Sequence, residues 1–254
     1  MEAGVLGPLR VRGPHAEIAI TGVKERTVVA HLVARVGQVV ATEELIDALW
    51  PDEPPRTARR TLQSYVARVR TALEQAGVEE GLLSSQSSGY RLSMDPTGID
   101  ANQFARLVEL GRRAAGDGNP REAVRSLQAA LALWRGPAYA GFEATSFGRA
   151  ERRRLDELRV AATEDLYAAQ IASGSVAVAI PELEAHVARH PLREHAWALL
   201  VRAHAAADNQ AAALEALERA RTVLADELGV DPGEELRALL QRVLAQDPTL
   251  APRS

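Results

Sequence analysis

The chain has 254 residues, a formal net charge of −4 and no cysteine. That length allows one large domain or two small ones, each with its own core. The missing cysteines exclude disulfides and thiolate metal sites, which makes a cytoplasmic location the simplest expectation. No run approaches the roughly 20 apolar residues of a membrane helix. No basic stretch followed by an apolar run opens the chain, so a secretory signal is not expected either.

Residues 5–11 and 17–20 read as short strands split by Gly13 and Pro14. A helix is predicted over 25–36, with Val29, Leu32, Val33 and Val36 on one face and Gly37 to end it. Thr42 is the expected cap of a second helix over 43–49, and Glu43 and Glu44 stand in its first turn, where the macrodipole favours acids. Pro51, Pro54 and Pro55 make a stiff loop before a third helix over 57–76. Residues 82–93 read as a hairpin with Gly89 near its tip. Strands, three helices and a hairpin in this order make a winged helix-turn-helix.

Pro96 and Gly98 mark a boundary, after which nearly everything reads as helix. Residues 118–133, 174–189 and 208–223 align without gaps, sharing Ala123/Ala179/Ala213, Val124/Ile180/Leu214 and Leu127/Leu183/Leu217. The last two copies lie 34 residues apart, the tetratricopeptide period; the alternative is chance alignment of alanine-rich helices. Pro181 should start or kink its helix. A last helix is signalled by Gly229 as the preceding C-cap, Asp231 as N-cap and Pro232 at its first position. The fold expected is mainly α, a winged helix followed by an all-α tetratricopeptide-like domain.

The third helix is the most informative element. Leu62, Val66, Val69 and Leu73 fall within about 60° of one another on a helical wheel and form a buried stripe. Thr57, Arg60, Thr61, Ser64, Ala67, Arg68 and Thr71 lie opposite, with Arg59, Gln63 and Arg70 on one flank and Tyr65 on the other. Between Pro54 and Leu73 stand five arginines and no carboxylate. A solvated surface helix would intersperse acids at i,i+4. Small residues admit a helix to a major groove, and arginine reads guanine or grips phosphate.

Seven stretches carry a family resemblance: LGPL at 6–9, ELIDALW at 44–50, ARRTLQSYV at 58–66, GYRL at 89–92, ALWRGP at 132–137, HPLRE at 190–194 and ELGVDPG at 227–233. In this order they resemble the Streptomyces antibiotic regulatory protein family of transcriptional activators. The resemblance implies an OmpR-like winged helix over 1–96, a bacterial transcriptional activation domain over 97–248 and a tail over 249–254. It implies no cofactor, metal or catalytic site. It implies an activator of secondary metabolism that binds direct repeats near a promoter's −35 region. The implied partners are double-stranded promoter DNA, RNA polymerase holoenzyme through region 4 of its sigma factor, and a second copy of the chain.

By the same resemblance Gln63, Ser64 and Arg68 would face bases. Lys24, Arg26, Arg60, Tyr65, Arg70, Gln86 and Tyr90 would face the DNA backbone, and Trp50, Asp52 and Glu53 would lie on the loop that touches polymerase. One departure concerns the wing: Gln86 stands where relatives often have an arginine four residues before the wing tyrosine, so the wing brings no charge there. Longer relatives carry NTPase or phosphopeptide-binding domains after the last helix, which leaves room for this chain to be the first part of a larger regulator.

Two other readings are weaker. A protein-interaction scaffold without DNA binding does not account for the acid-free stretch between Pro54 and Leu73. An enzyme would need a site: His186 and His190 have zinc-like spacing, with Glu184 and His195 nearby, but Pro191 ends the run and no H-E-x-x-H, phosphate loop or nucleophile elbow occurs. Trp134, Trp197 and Tyr167 read as packing residues, and Arg149 to Arg154 as a solvated helix face followed by Asp156 and Glu157.

Overall fold

A computed structural model describes residues 1–250; residues 251–254 of the expected tail lie outside it. The N-terminal elements are β1 (Glu2–Gly4), β2 (Arg10–Arg12), α1 (Val23–Ala34), β3 (Val39–Ala41), α2 (Thr42–Leu49), α3 (Ala58–Gln75), β4 (Leu83–Gln86) and β5 (Gly89–Leu92). Helices follow: α4 (Asp100–Gly116), α5 (Pro120–Leu131), α6 (Ser146–Ala172), α7 (Val176–Arg189), α8 (Glu194–Ala206), α9 (Gln210–Leu228) and α10 (Glu234–Leu244). Contacts divide the chain into two units, Met1–Leu107 with Ala130–Arg159, and Val108–Ala129 with the described chain from Val160 onward.

In the first unit β1 and β2 pair antiparallel, Ala3 opposite Val11. A second antiparallel sheet has the order β3-β5-β4. Helices α1, α2 and α3 pack on one another around Leu32, Leu45, Leu49 and Leu62, all fully buried. The predicted stripe of α3 is the buried one: Leu62, Val66, Val69 and Leu73 all lie in the core. Gly37 takes a left-handed φ of 78° just after α1, and its N–H donates to the Leu92 carbonyl at 2.8 Å.

Three local expectations need correction. The strand expected over 5–11 shrinks to β2, because the backbone of Val5 and Leu6 is bonded elsewhere. Their amides donate to the Asp100 carboxylate at 2.7 and 3.1 Å, and their carbonyls accept from Tyr139 and Arg135 at 2.8 and 2.7 Å. A strand cannot pair groups already spent. Residues 17–20 make only an isolated bridge, Arg12 with Glu17. Thr42 does not cap α2 but begins it: its amide donates to the Ser88 carbonyl at 2.9 Å, and Ala41 is the N-cap.

The second unit carries the repeats. The three aligned segments are α5, α7 and α9, and the shared residues have the same burial in each. Ala123, Ala179 and Ala213 are inaccessible, Leu127, Leu183 and Leu217 are buried, and Val124, Ile180 and Leu214 are half-buried. The residue opening each copy, Gly118, Gly174 and Asp208, has φ of 72°, 82° and 56°. The next amide, of Asn119, Ser175 or Asn209, reaches back to the carbonyl five residues before it at 2.8–2.9 Å. A shared turn and a shared, fully buried alanine are structural repetition, not chance. Helix α8 packs between α7 and α9, and α10 closes on α8 and α9.

Of the two outcomes expected at Pro181, a start or a kink, the start does not occur, and the start of α10 differs from expectation. Helix α7 begins at Val176 and runs through Pro181; burial of Ala179 and Leu183 on either side outweighs the proline's poor propensity. Helix α10 starts at Glu234 with Gly233 as N-cap, not at Asp231 and Pro232, because the Gly233 amide donates to the Glu194 carboxylate at 2.6 Å. Gly229, as expected, ends α9 in the left-handed conformation, φ 68°.

The histidine pair is used for packing. His186 is buried, lies edge-on to Tyr167 and meets the Glu164 carboxylate at 3.3 Å, with the His190 ring 4.8 Å away. Burial pushes the Glu164 carboxyl up, but Arg193, at 2.6 and 2.9 Å, and His186 outweigh it and bring it down to about 2. Trp197 is buried with its indole N–H on the Pro191 carbonyl at 2.8 Å. In the first unit, Trp134 meets Phe104 edge-on at 5.4 Å. Among the described residues no helix is long and apolar enough to cross a membrane.

Candidate nucleic-acid interface

Helix α3 turns Arg59, Arg60, Gln63, Ser64, Ala67, Arg68 and Thr71 to solvent. Apart from the Gln63 carboxamide, side chains there are short or end in guanidinium. The hydroxyls are tied back to the helix: Thr61 donates to the Thr57 carbonyl at 3.0 Å, Ser64 to Arg60 at 3.2 Å and Thr71 to Ala67 at 3.2 Å. With the proton spent inward, each oxygen keeps lone pairs facing out as an acceptor.

The five arginines have different surroundings. Arg59 pairs with Glu43 of α2. Arg68 donates through Nε to Glu25 of α1 at 2.6 Å. Arg70 donates to the Leu83 carbonyl and the Ser85 hydroxyl, both at 2.9 Å, and so fastens α3 to the first strand of the wing. Arg56 and Arg60 are exposed and have no ion-pair partner among the described residues. The acids absent from the stretch between Pro54 and Leu73 thus come from α1 and α2, at sequence separations of 43 and 16. Reading α3 in isolation could not find them.

An aromatic stack links these elements. The Arg68 guanidinium lies 4.9 Å over the Tyr65 ring, Tyr65 stacks on Trp50 at 6.2 Å, and the Lys24 ammonium lies 5.5 Å from the Trp50 ring centre. Lys24 also donates to the Leu49 carbonyl at the end of α2, where a cation offsets the helix dipole. Trp50 is half-buried, while Asp52 and Glu53 are exposed beside three exposed prolines.

The remaining expected contacts are more enclosed. Arg26 is half-buried and donates to the Leu9 carbonyl at 3.2 Å. Tyr90 is only 8% exposed, in the middle strand of the sheet opposite Val40 and Ser85. Gln86 bonds the Ser84 hydroxyl at 3.0 Å next to the exposed tip, Ser87 and Ser88. Arg91, exposed on β5, is a cation of the wing that reading the sequence passed over; its place two residues beyond Gly89, on the strand's outward face, was the available signal.

Two family models match the chain in succession. Residues 99–244 match the bacterial transcriptional activator domain, and residues 16–92 match the C-terminal domain of transcriptional regulatory proteins. The chain is 37% identical to the transcriptional regulatory protein MoaR1 of Mycobacterium tuberculosis, over 98% of this chain and 80% of that one. It is 35% identical to the regulatory protein DnrI of Streptomyces peucetius, over 98% and 93%. A structure of Mycobacterium tuberculosis EmbR in complex with a low affinity phosphopeptide superposes with a TM-score of 0.93 at 38% identity, covering 97% of this chain and 65% of EmbR. With both domains matched in order along the sequence, the chain belongs to the Streptomyces antibiotic regulatory protein family of transcriptional regulators.

Proposed function

We propose that the protein is a sequence-specific DNA-binding activator that reads promoter repeats with α3 and brings RNA polymerase to them. The observation that carries this reading is the outward row Arg60, Gln63, Ser64 and Arg68 on a helix whose other face is fully buried, with Arg56 exposed in the turn just before it. Gln63, Ser64 and Arg68 read base edges. Arg60, with Lys24, Arg26, Arg70 and the wing, lies along the phosphates. Asp52 and Glu53, beside Trp50, offer an acidic loop to region 4 of the sigma factor, and two copies occupy tandem sites. The chain's net negative charge limits non-specific DNA binding away from this face.

Fluorescence anisotropy against promoter duplexes tests this at several salt concentrations. Arg60→Ala should weaken binding to all sequences and lower the slope of log affinity against log salt by about 1. Gln63→Ala should instead shift the preferred sequence, by about 1–3 kcal/mol at one position. An unchanged salt slope for Arg60→Ala would remove the phosphate assignment. Polymerase binding by a chain that binds no duplex would favour the scaffold reading.

A further inference from the structure

We infer that Glu25 is the positioning residue that holds Arg68 as an end-on fork for guanine; this rests on the DNA-reading role of α3 proposed above. Arg68 has five N–H donors in one plane. Glu25 takes the donor on Nε at 2.6 Å and leaves the paired Nη groups at the far end uncommitted. Those two groups, side by side, match the O6 and N7 acceptors of guanine in the major groove. The Tyr65 ring, 4.9 Å beneath the guanidinium, fixes the plane of the fork. One partner thus sets its rotation and the other its tilt.

The pair is asymmetric. The Glu25 side chain is 14% exposed and that of Arg68 is 59% exposed, so the acid is set into the protein and the base projects from it. A second observation shows how the acid is seated. Gly22, the residue before α1, has no side chain, and a Cβ placed there would meet Glu25 Oε2 at 1.9 Å and Oε1 at 3.0 Å, its nearest neighbours all being atoms of the Glu25 carboxylate. The missing side chain makes the berth for the carboxylate. In the first turn of α1 the helix dipole also favours the negative charge. An arginine swinging freely on its long stem would lose rotamer entropy on reaching a base; one already bracketed loses less, and it fits a guanine better than its competitors.

The experiment measures the affinity of the whole chain for its selected duplex and for single base-pair substitutions of it. Arg68→Ala identifies the position that Arg68 governs. Glu25→Ala should lower discrimination at that position by about tenfold, within the range of a bidentate arginine–guanine pair. It should leave the other positions as they were, and affinity for unrelated duplex should not fall, since an anion has been removed from the face. Glu25→Gln, which still accepts from Nε, should fall between. Gly22→Ala, which displaces the carboxylate without changing any charge, should repeat the Glu25→Ala pattern and guards against a folding defect in that variant. Unchanged or sharper discrimination in Glu25→Ala would overturn the inference, since the acid would then be idle or merely sequestering the arginine. A wild-type chain with no preferred base at any position would instead overturn the DNA-reading proposal itself, and this inference with it.

Discussion

Replacing Gly89 with alanine is expected to cost the N-terminal unit about 3 kcal/mol or more, at or beyond the top of the usual range for overpacking. Gly89 begins β5 and lies opposite Ala41 of β3 and Gln86 of β4. A Cβ there would fall 1.9 Å from the Val40 carbonyl oxygen, 2.8 Å from its carbon and 2.9 Å from Ala41 Cα. All three are backbone atoms, so no side chain can turn aside; the middle strand must part from β3. The same strand end holds the Ser88 carbonyl that receives the Thr42 amide, so the start of α2 loosens with it. Urea unfolding gives the loss, and faster amide exchange at Val40 and Thr42 locates it. Gly116→Ala, at a helical glycine with nothing within 4 Å, serves as the control and should be neutral or mildly stabilising. A Gly89→Ala variant as stable as the parent would show that β3 and β5 do not approach this closely.

Acid should unfold the N-terminal unit through His31. This residue of α1 is buried, stacks on Phe147 with ring centres 4.3 Å apart, and leaves Nδ1 without a hydrogen-bond partner. Burial, assisted by the Arg35 charge, lowers its pKa from 6.5 to about 4. The exposed Glu44 carboxylate at 3.9 Å does not reverse this. As pH falls below 6.5 the unfolded chain takes up the proton first, and the folded chain resists until about pH 4. Stability contributed by the neutral ring is therefore complete above pH 6.5 and lost progressively down to pH 4, by roughly 3 kcal/mol in all. Unfolding free energies measured at a series of pH values should show this fall for the parent and a flatter profile for His31→Phe, whatever that variant's absolute stability. Equal slopes for the two would mean that His31 does not stay neutral in the fold.

The parts of this architecture set by short-range periodicity were readable in the sequence. The stripe Leu62, Val66, Val69 and Leu73 needed only a helical wheel, and the alanine and leucine positions shared by α5, α7 and α9 needed only alignment of the chain with itself. What escaped was set by contacts far apart in sequence. Asp100 captures the amides of Val5 and Leu6 and shortens the first strand. Glu194 receives the amide that begins α10, and so moves that start past Pro232. The same limit applies at the interface. The wheel found the outward arginines of α3 but not that Glu25 and Glu43 come from other helices to meet two of them, or that Arg70 is engaged by the wing. Arg60 and Arg68 looked equivalent by position, and only the fold separates an arginine left to solvent from one held in a bracket.

Selection of bound duplexes from a random pool by the whole chain is the most direct test of α3 as a reading element. Enrichment of one motif, occurring in tandem copies and containing a guanine whose preference vanishes with Arg68→Ala, is the predicted result. A folded protein that returns the pool unenriched, or a motif that Arg68→Ala and Gln63→Ala leave intact, would contradict it.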